Sequence, residues 1–170
     1  SPVFWKPEKI SVSAMTPTQS RQMKAIEQDA VIAALDAAGA AGVARVVLVS
    51  VYDFQPELIA RLRLEVAGIK QAVEAHLARS GLRWTVLGAP PSMEIFFAML
   101  GGDRLTVPGG GPPAGLPSVS PVDLGEIAAQ AVLGEAAMGE RLRVPGPDVL
   151  TFPEAARRLS AVYGREIRVP

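Results

Sequence analysis

The pattern of apolar and polar positions predicts helices that alternate with strands along the first half of the chain. Residues 25–50, AIEQDAVIAALDAAGAAGVARVVLVS, begin as an alanine-rich helical segment and pass through glycine into an apolar, β-branched run. The pattern predicts a helix over 20–41 and a strand over 44–52. A strand that is apolar throughout is typical of parallel sheets that helices cover on both faces.

Further elements extend this pattern in both directions. KISVSAMTP, residues 9–17, alternates as a short strand that leads into a Thr-Pro loop. An amphipathic helix is predicted over 56–78, and RWTVLGAP, residues 83–90, is the next strand. Because connections in the order strand, helix, strand are nearly always right-handed and parallel, we expect one half of a doubly wound α/β sheet.

The second half of the chain is built from shorter pieces. Capping residues predict two helices, one over PVDLGEIAAQAVLGEA with Asp123 near its N-terminus and Glu126 three residues on, and one running from Thr151 with Glu154 to Val162. The remaining pieces are MEIFFAML as a helix, LTVP as a strand, GGGPPAGLP (109–117) as irregular chain, RLRVPG as an edge strand and EIRV as a final strand. We expect them to form a small lobe beside the carboxyl edge of the sheet, where open α/β sheets bind ligands.

Composition excludes several kinds of chemistry. The 17 basic and 17 acidic residues balance, which argues against a nucleic acid or an anionic membrane as partner. Cysteine is absent and His76 is the single histidine, so we expect no metal site. No apolar run reaches the length of a membrane span, and no leader pattern opens the sequence, so we expect a cytoplasmic protein.

Five phrases in sequence resemble one known family. They are AALDAAGAAGVARVVLVS, IKQAVEAHLARSGLRWTVL, SMEIFF, VSPVDLGEIAAQAV and VPGPDVLTFPEAARRLSAVYGREI. Together they resemble the NmrA-like branch of the atypical short-chain dehydrogenases/reductases. The resemblance implies that residues 1–90 are the C-terminal part of a Rossmann dinucleotide-binding domain and residues 91–170 a small substrate-binding lobe. It also implies NADP or NAD as cofactor, with NADP preferred.

One feature of that family has no counterpart in the sequence. The glycine-rich turn, whose backbone approaches the pyrophosphate at a helix N-terminus, should precede residue 1. The glycines of GGDRLTVPGGG, residues 101–111, do not open a predicted helix and are interpreted as loop. We therefore expect the chain to be part of a larger protein, or to be completed by a companion segment.

Lys70 and Ser50 are the catalytic candidates that the resemblance implies. Lys70 and Glu74 match the family's K-x-x-x-E, whose lysine contacts the nicotinamide ribose. The family's acid tyrosine is replaced by Val66, which cannot donate a proton. Ser50 ends the apolar strand and resembles the family's strand-end serine near the nicotinamide. The alternatives are a surface pair of Lys70 with Glu74, and a serine that only caps a turn.

Four more residues are candidates for cofactor binding. Thr16 and Pro17 follow the first predicted strand, where the family's loop runs along the cofactor, although a plain Thr-Pro turn is an equal alternative. Ala89 and Pro90 follow the third strand. The family has Arg-Pro directly after the WTVL phrase, whereas this chain has Gly88 and Ala89.

The substrate candidates are largely apolar. Tyr52 is an alternative proton donor two residues after the strand-end serine, or a tyrosine packed under a loop. Met93, Phe96 and Phe97 would form an apolar wall of the substrate site, and the alternative is that they pack in the core.

The resemblance leads to one preferred function and two alternatives. The preferred one is hydride transfer from NAD(P)H to a small apolar carbonyl, enone or quinone. The second is a non-catalytic NAD(P) redox sensor, and the third is a protein-interaction module that no longer binds nucleotide, with a protein partner or a homo-oligomer. Fold likeness alone does not decide between them.

Overall fold

A parallel three-stranded sheet forms the centre of the computed structural model, which describes residues 16–52, 65–106, 114–134 and 137–170. Its strands are β1 (Val46–Val51), β2 (Trp84–Ala89) and β6 (Glu140–Arg143). They lie in the order β1, β2, β6, and both pairings are parallel. The predicted parallel sheet is confirmed.

The other described elements surround this sheet. The helices are α1 (Pro17–Lys24), α2 (Ala30–Ala40), α3 (Glu65–Arg79), α4 (Ile95–Ala98), α5 (Pro121–Leu133) and α6 (Phe152–Tyr163). A π-helical turn, Ala25–Asp29, joins α1 to α2. Two antiparallel pairs of two-residue strands complete the fold: β3 (Leu100–Gly101) with β4 (Arg104–Leu105), and β5 (Leu116–Pro117) with β7 (Val149–Leu150).

Helices cover both faces of the sheet. On one face, Leu35 of α2 and Leu77 of α3 pack against Val86 of β2. On the other, the neighbouring β2 residue Leu87 packs against Leu124 of α5. Successive strand residues point to opposite faces, so β2 contributes apolar side chains to both layers. Burying a leucine as completely as Leu77 or Leu87 contributes about 1.5–3 kcal/mol. The doubly wound α/β class is confirmed.

A separate apolar cluster holds the C-terminal pieces together. Phe152 at the start of α6 meets Phe96 of α4 edge to face, with ring centroids 5.3 Å apart. Leu105 and Ile167 close the same cluster. The predicted α6 is confirmed, because the Thr151 hydroxyl accepts a hydrogen bond from the Glu154 backbone N–H at 3.3 Å.

The structure corrects details of two predicted helix starts. The helix predicted over PVDLGEIAAQAVLGEA is α5 and starts at Pro121, but its cap is Ser120, which accepts from the Val122 N–H at 3.2 Å, and Asp123 lies in its first turn. The helix predicted from residue 20 starts at Pro17 with α1, and Thr16 is its N-cap, forming a capping box with Gln19. In both helices a proline at the first position follows the cap, a combination that favours helix initiation.

Other expectations changed or fall outside the described residues. Leu116–Pro117, predicted irregular, forms strand β5. The predicted final strand is reduced to one bridge between Arg168 and Arg104. The predicted edge strand RLRVPG overlaps β6, which pairs with β2 and lies at one edge of the central sheet among the described residues. The predicted strand before Thr16, the first part of the predicted helix over 56–78 and residues 107–113 lie outside the described residues.

Within the described parts of the chain, no helix is long and apolar enough to cross a membrane. The same residues contain no cluster of histidine and carboxylate side chains that could hold a metal ion.

The backbone around Gly146 leaves no room for a side chain. A Cβ added there would lie 1.6 Å from the Ser118 carbonyl oxygen, so Gly146→Ala would force two backbone segments apart. We expect a loss of about 3 kcal/mol or more in the free energy of unfolding, measured by urea denaturation. Gly125→Ala is the matched control because a Cβ there meets nothing within 4 Å. This helical change should stabilise by up to about 1 kcal/mol, and equal midpoints for both variants would contradict the packing described.

Candidate functional site

A pocket of about 350 Å³ opens at the carboxyl ends of β1 and β2. Its polar side chains are Ser50 at the end of β1, Tyr52 just after that strand, and Lys70 on α3. The residues that line it are Val49, Ser50, Val51, Tyr52, Lys70, Ala89, Pro90, Pro91 and Leu124. Parallel strands end together at this edge, so their last residues and the following loops converge on one place.

The structure brings five of the predicted site residues into this pocket. They are Ser50, Tyr52, Lys70, Ala89 and Pro90. They come from two strand ends and one helix that are separated along the chain, and the parallel pairing of Ser50 with Gly88 and of Val51 with Ala89 aligns the strand ends.

The other predicted site residues lie elsewhere. Thr16 and Pro17 form the N-terminus of α1 and do not line the pocket. Phe96 is 4% exposed and packs in the apolar cluster with Phe152, in agreement with the core-packing alternative. Phe97 is 54% exposed. The backbone N–H of Met93 donates to the Val119 carbonyl at 3.1 Å. The wall that these residues were predicted to form is therefore not part of this pocket.

Lys70 forms an ion pair with a residue that the sequence did not single out. Its Nζ donates to Glu27 Oε2 at 2.5 Å, and the lysine side chain is 21% exposed. Glu27 lies in the π-helical turn Ala25–Asp29. A π turn adds one residue to a helical turn, and such turns are frequent at functional sites. The carboxylate holds the ammonium group in place beside the pocket.

The hydrogen-bond partners of Glu74 are Arg141 and Ser50, whereas Lys70 pairs with Glu27. Its Oε2 accepts a hydrogen bond from Arg141 Nε at 2.8 Å, and its Oε1 accepts one from the Ser50 hydroxyl. The Glu74 side chain is 17% exposed, and that of Arg141 is 28% exposed. Arg141 also donates to the Val51 carbonyl at 2.6 Å. This Ser50–Glu74–Arg141 network ties α3 and β6 to the end of β1.

Gly88 makes room for the network. A Cβ at this position would lie 2.7 Å from an Arg141 guanidinium nitrogen, so the guanidinium group occupies the space beside β2 that a side chain would take. The guanidinium group comes from the neighbouring strand β6, which pairs with β2.

Sequence reasoning missed Glu27 and Arg141. Glu27 looks like an ordinary exposed helical residue unless the extra residue of the π turn is known. Arg141 stands 67 positions from Glu74, and only the pairing of β6 with β2 brings the two together. The one available signal was a glycine at position 88 in an otherwise bulky strand, since such a glycine marks the close approach of another group.

The network makes a prediction about stability. Arg141→Ala would leave Glu74 largely buried without its charged partner, and we expect a loss of about 1–3 kcal/mol in the free energy of unfolding. Arg157→Ala is the control, because Arg157 pairs with Glu154 while its own side chain is 71% exposed. Water screens that pair, so its removal should shift the urea midpoint far less. Equal shifts would mean that Glu74 does not depend on Arg141.

Comparisons with known proteins show the fold. No protein-family model matches the sequence, and no curated protein matches it. Among solved structures, the chain is similar to the Citrobacter sp. triphenylmethane reductase complexed with NADP(H), with a TM-score of 0.68 and 20% identity. It is similar to an NADPH-dependent quinone oxidoreductase from Escherichia coli complexed with NADPH (0.63, 21%), and to a nucleoside-diphosphate-sugar epimerase from Staphylococcus aureus (0.69, 19%).

Each match covers most of this chain but only about half of the other protein. The aligned shares are 91% of this chain and 53% of the triphenylmethane reductase, 93% and 52% for the quinone oxidoreductase, and 93% and 53% for the epimerase. The reductase and the quinone oxidoreductase are complexed with NADP(H) and NADPH, and at these identities the likeness establishes the architecture alone. The chain has the α/β architecture of part of a Rossmann-type fold.

Proposed function

We propose that this chain belongs to an NAD(P)-dependent oxidoreductase that transfers hydride to a small apolar carbonyl, enone or quinone substrate. The observation that carries the proposal is the convergence of Ser50, Tyr52 and Lys70 in one pocket at the carboxyl ends of parallel strands. Open α/β sheets bind their ligands at this edge. The chain spans about half the length of the reductases that it matches, so the activity is proposed for the whole protein.

The residues of the pocket fit the reactive end of a nicotinamide dinucleotide. A volume of about 350 Å³ is at the lower end of ligand pockets and suits a nicotinamide with its ribose better than an entire dinucleotide. An ammonium group, a phenol and a serine hydroxyl supply the hydrogen bonds that ribose and carboxamide groups need. Valines, prolines and Leu124 surround them and would exclude water from a planar ring.

Each polar residue would have its own role. Lys70, held in place by Glu27, would donate to ribose oxygens, and the Ser50–Glu74–Arg141 network would fix the end of β1 beside the ring. Tyr52 would donate the proton that a reduced carbonyl oxygen needs. A reduced nicotinamide supplies the hydride when it is bound, and the protein contributes binding and orientation.

NADP is the proposed cofactor rather than NAD. The support is that the triphenylmethane reductase and the quinone oxidoreductase are complexed with NADP(H) and NADPH.

A non-catalytic NAD(P) sensor is the second candidate. Val66 lies on α3 one turn before Lys70, at the position where the resembling family has its acid tyrosine. If Tyr52 does not replace that acid, the pocket would bind the dinucleotide without turnover. Both candidates require dinucleotide binding, and they differ only in whether a substrate is reduced.

Titration of the complete polypeptide with NADPH and NADH, followed by nicotinamide fluorescence, tests the proposal. We expect saturable binding that is tighter for NADPH. Lys70→Ala should weaken it about 10-fold, the effect of losing one charge-assisted hydrogen bond. Lys24→Ala, an exposed residue on α1, is the control and should bind as the wild type does. Absence of saturable binding would reject both candidates.

A second measurement separates the enzyme from the sensor. NADPH oxidation is followed at 340 nm with a panel of benzoquinones and enones, for the wild type and for Tyr52→Phe. Turnover above background that Tyr52→Phe lowers about 100-fold supports the oxidoreductase. Binding without turnover of any member would support the sensor.

A further inference from the structure

The Ser50 hydroxyl has a single proton, and the structure shows where that proton is used. Ser50 is 5% exposed, and its Oγ donates to Glu74 Oε1. The opposite direction is excluded, because a carboxylate that is ion-paired with Arg141 accepts hydrogen bonds and donates none. Ser50 nevertheless lines the pocket, so what remains for a ligand is the acceptor capacity of its oxygen.

Arg141 holds Glu74 in the position in which it accepts the hydrogen bond from Ser50. It holds Glu74 Oε2 at 2.8 Å while its guanidinium group is anchored on the Val51 carbonyl at 2.6 Å. Glu74 Oε1 thereby stays directed at Ser50, near the end of β1. A rotation of the Ser50 hydroxyl toward the pocket would leave Oε1 without this partner in a side chain that is only 17% exposed.

We propose that Ser50 contacts the ligand as a hydrogen-bond acceptor, so that this part of the pocket selects a ligand group that donates, a carboxamide NH₂ or a hydroxyl. Glu74 and Arg141 are positioning residues that set this polarity without touching the ligand. The inference deepens the proposed function and rests on it. It also means that Ser50 does not donate to a substrate carbonyl, and that Tyr52 and Lys70 are the proton-bearing side chains of the pocket.

Glu74→Gln should reverse the polarity while preserving the shape. Arg141 only donates, so the carbonyl oxygen of the new side chain would face Arg141 and its NH₂ group would face Ser50. Ser50 Oγ would then accept from the amide, and its own proton would turn toward the pocket. The ligand site would change from an acceptor to a donor by a substitution outside the ligand's reach.

The experiment compares NADP⁺ with its 3-acetylpyridine analogue, in which a methyl group replaces the carboxamide NH₂. Dissociation constants are measured by calorimetry on the complete polypeptide. The wild type should bind NADP⁺ about 3- to 10-fold more tightly than the analogue, the effect of one neutral hydrogen bond. Glu74→Gln should abolish or invert this ratio, Ser50→Ala should reduce it to about one, and Glu126→Gln, on exposed α5 surface, should leave it unchanged.

Distinct results separate this inference from the proposed function. If both dinucleotides bind and the ratio is the same in wild type, Glu74→Gln and Ser50→Ala, the inference is overturned while the proposed function stands. If neither dinucleotide binds, the proposed function fails. Ligand-observed NMR with free nicotinamide and 3-acetylpyridine then decides the inference: preference for nicotinamide that Ser50→Ala removes supports it, and equal or absent binding of the two overturns it. If Glu74→Gln does not fold, the comparison of the binding ratio in the wild type and Ser50→Ala still tests the inference.

Discussion

The Glu74 carboxylate is the point on which this site depends. Glu74 lies on α3 and accepts hydrogen bonds from the Ser50 hydroxyl of β1 and the Arg141 guanidinium of β6. One side chain therefore ties three elements together. A carboxylate with 17% exposure is stable there only while its donors are present. The same hydrogen bonds therefore hold the end of the sheet together and decide which way the Ser50 proton points.

Glycine at position 88 is the sequence requirement behind that arrangement. The central strand β2 presents apolar side chains to both helical layers, yet at Gly88 it must have no side chain at all. Any larger residue would compete with the Arg141 guanidinium for one space. Packing thus requires a large apolar side chain at Leu87, and the Arg141 guanidinium requires a glycine at the next position, Gly88.

The sequence predicted the parts of the structure that local patterns control. Strands β1 and β2, helix α6 and the position of Ser50 follow from apolar runs, capping residues and the rule that ligands bind at strand ends. Arg141 and Glu27 could not be predicted in the same way. Arg141 depends on which strand β6 pairs with, and Glu27 on a helical irregularity. Phe96 was ambiguous because an apolar residue in a short helix packs equally well into a core or around a ligand.

The π-helical turn at Ala25–Asp29 affects how the long N-terminal helical segment tolerates changes in length. A turn with one extra residue absorbs an insertion locally, so that α1 and α2 on either side keep their own packing. Deleting one residue here would return the segment to regular α-helical spacing and rotate α1 by about 100° relative to α2. Glu27 would then leave the side facing Lys70. The extra residue in this helical segment therefore determines whether Glu27 pairs with Lys70, which lines the pocket, although no residue of the segment lines the pocket itself.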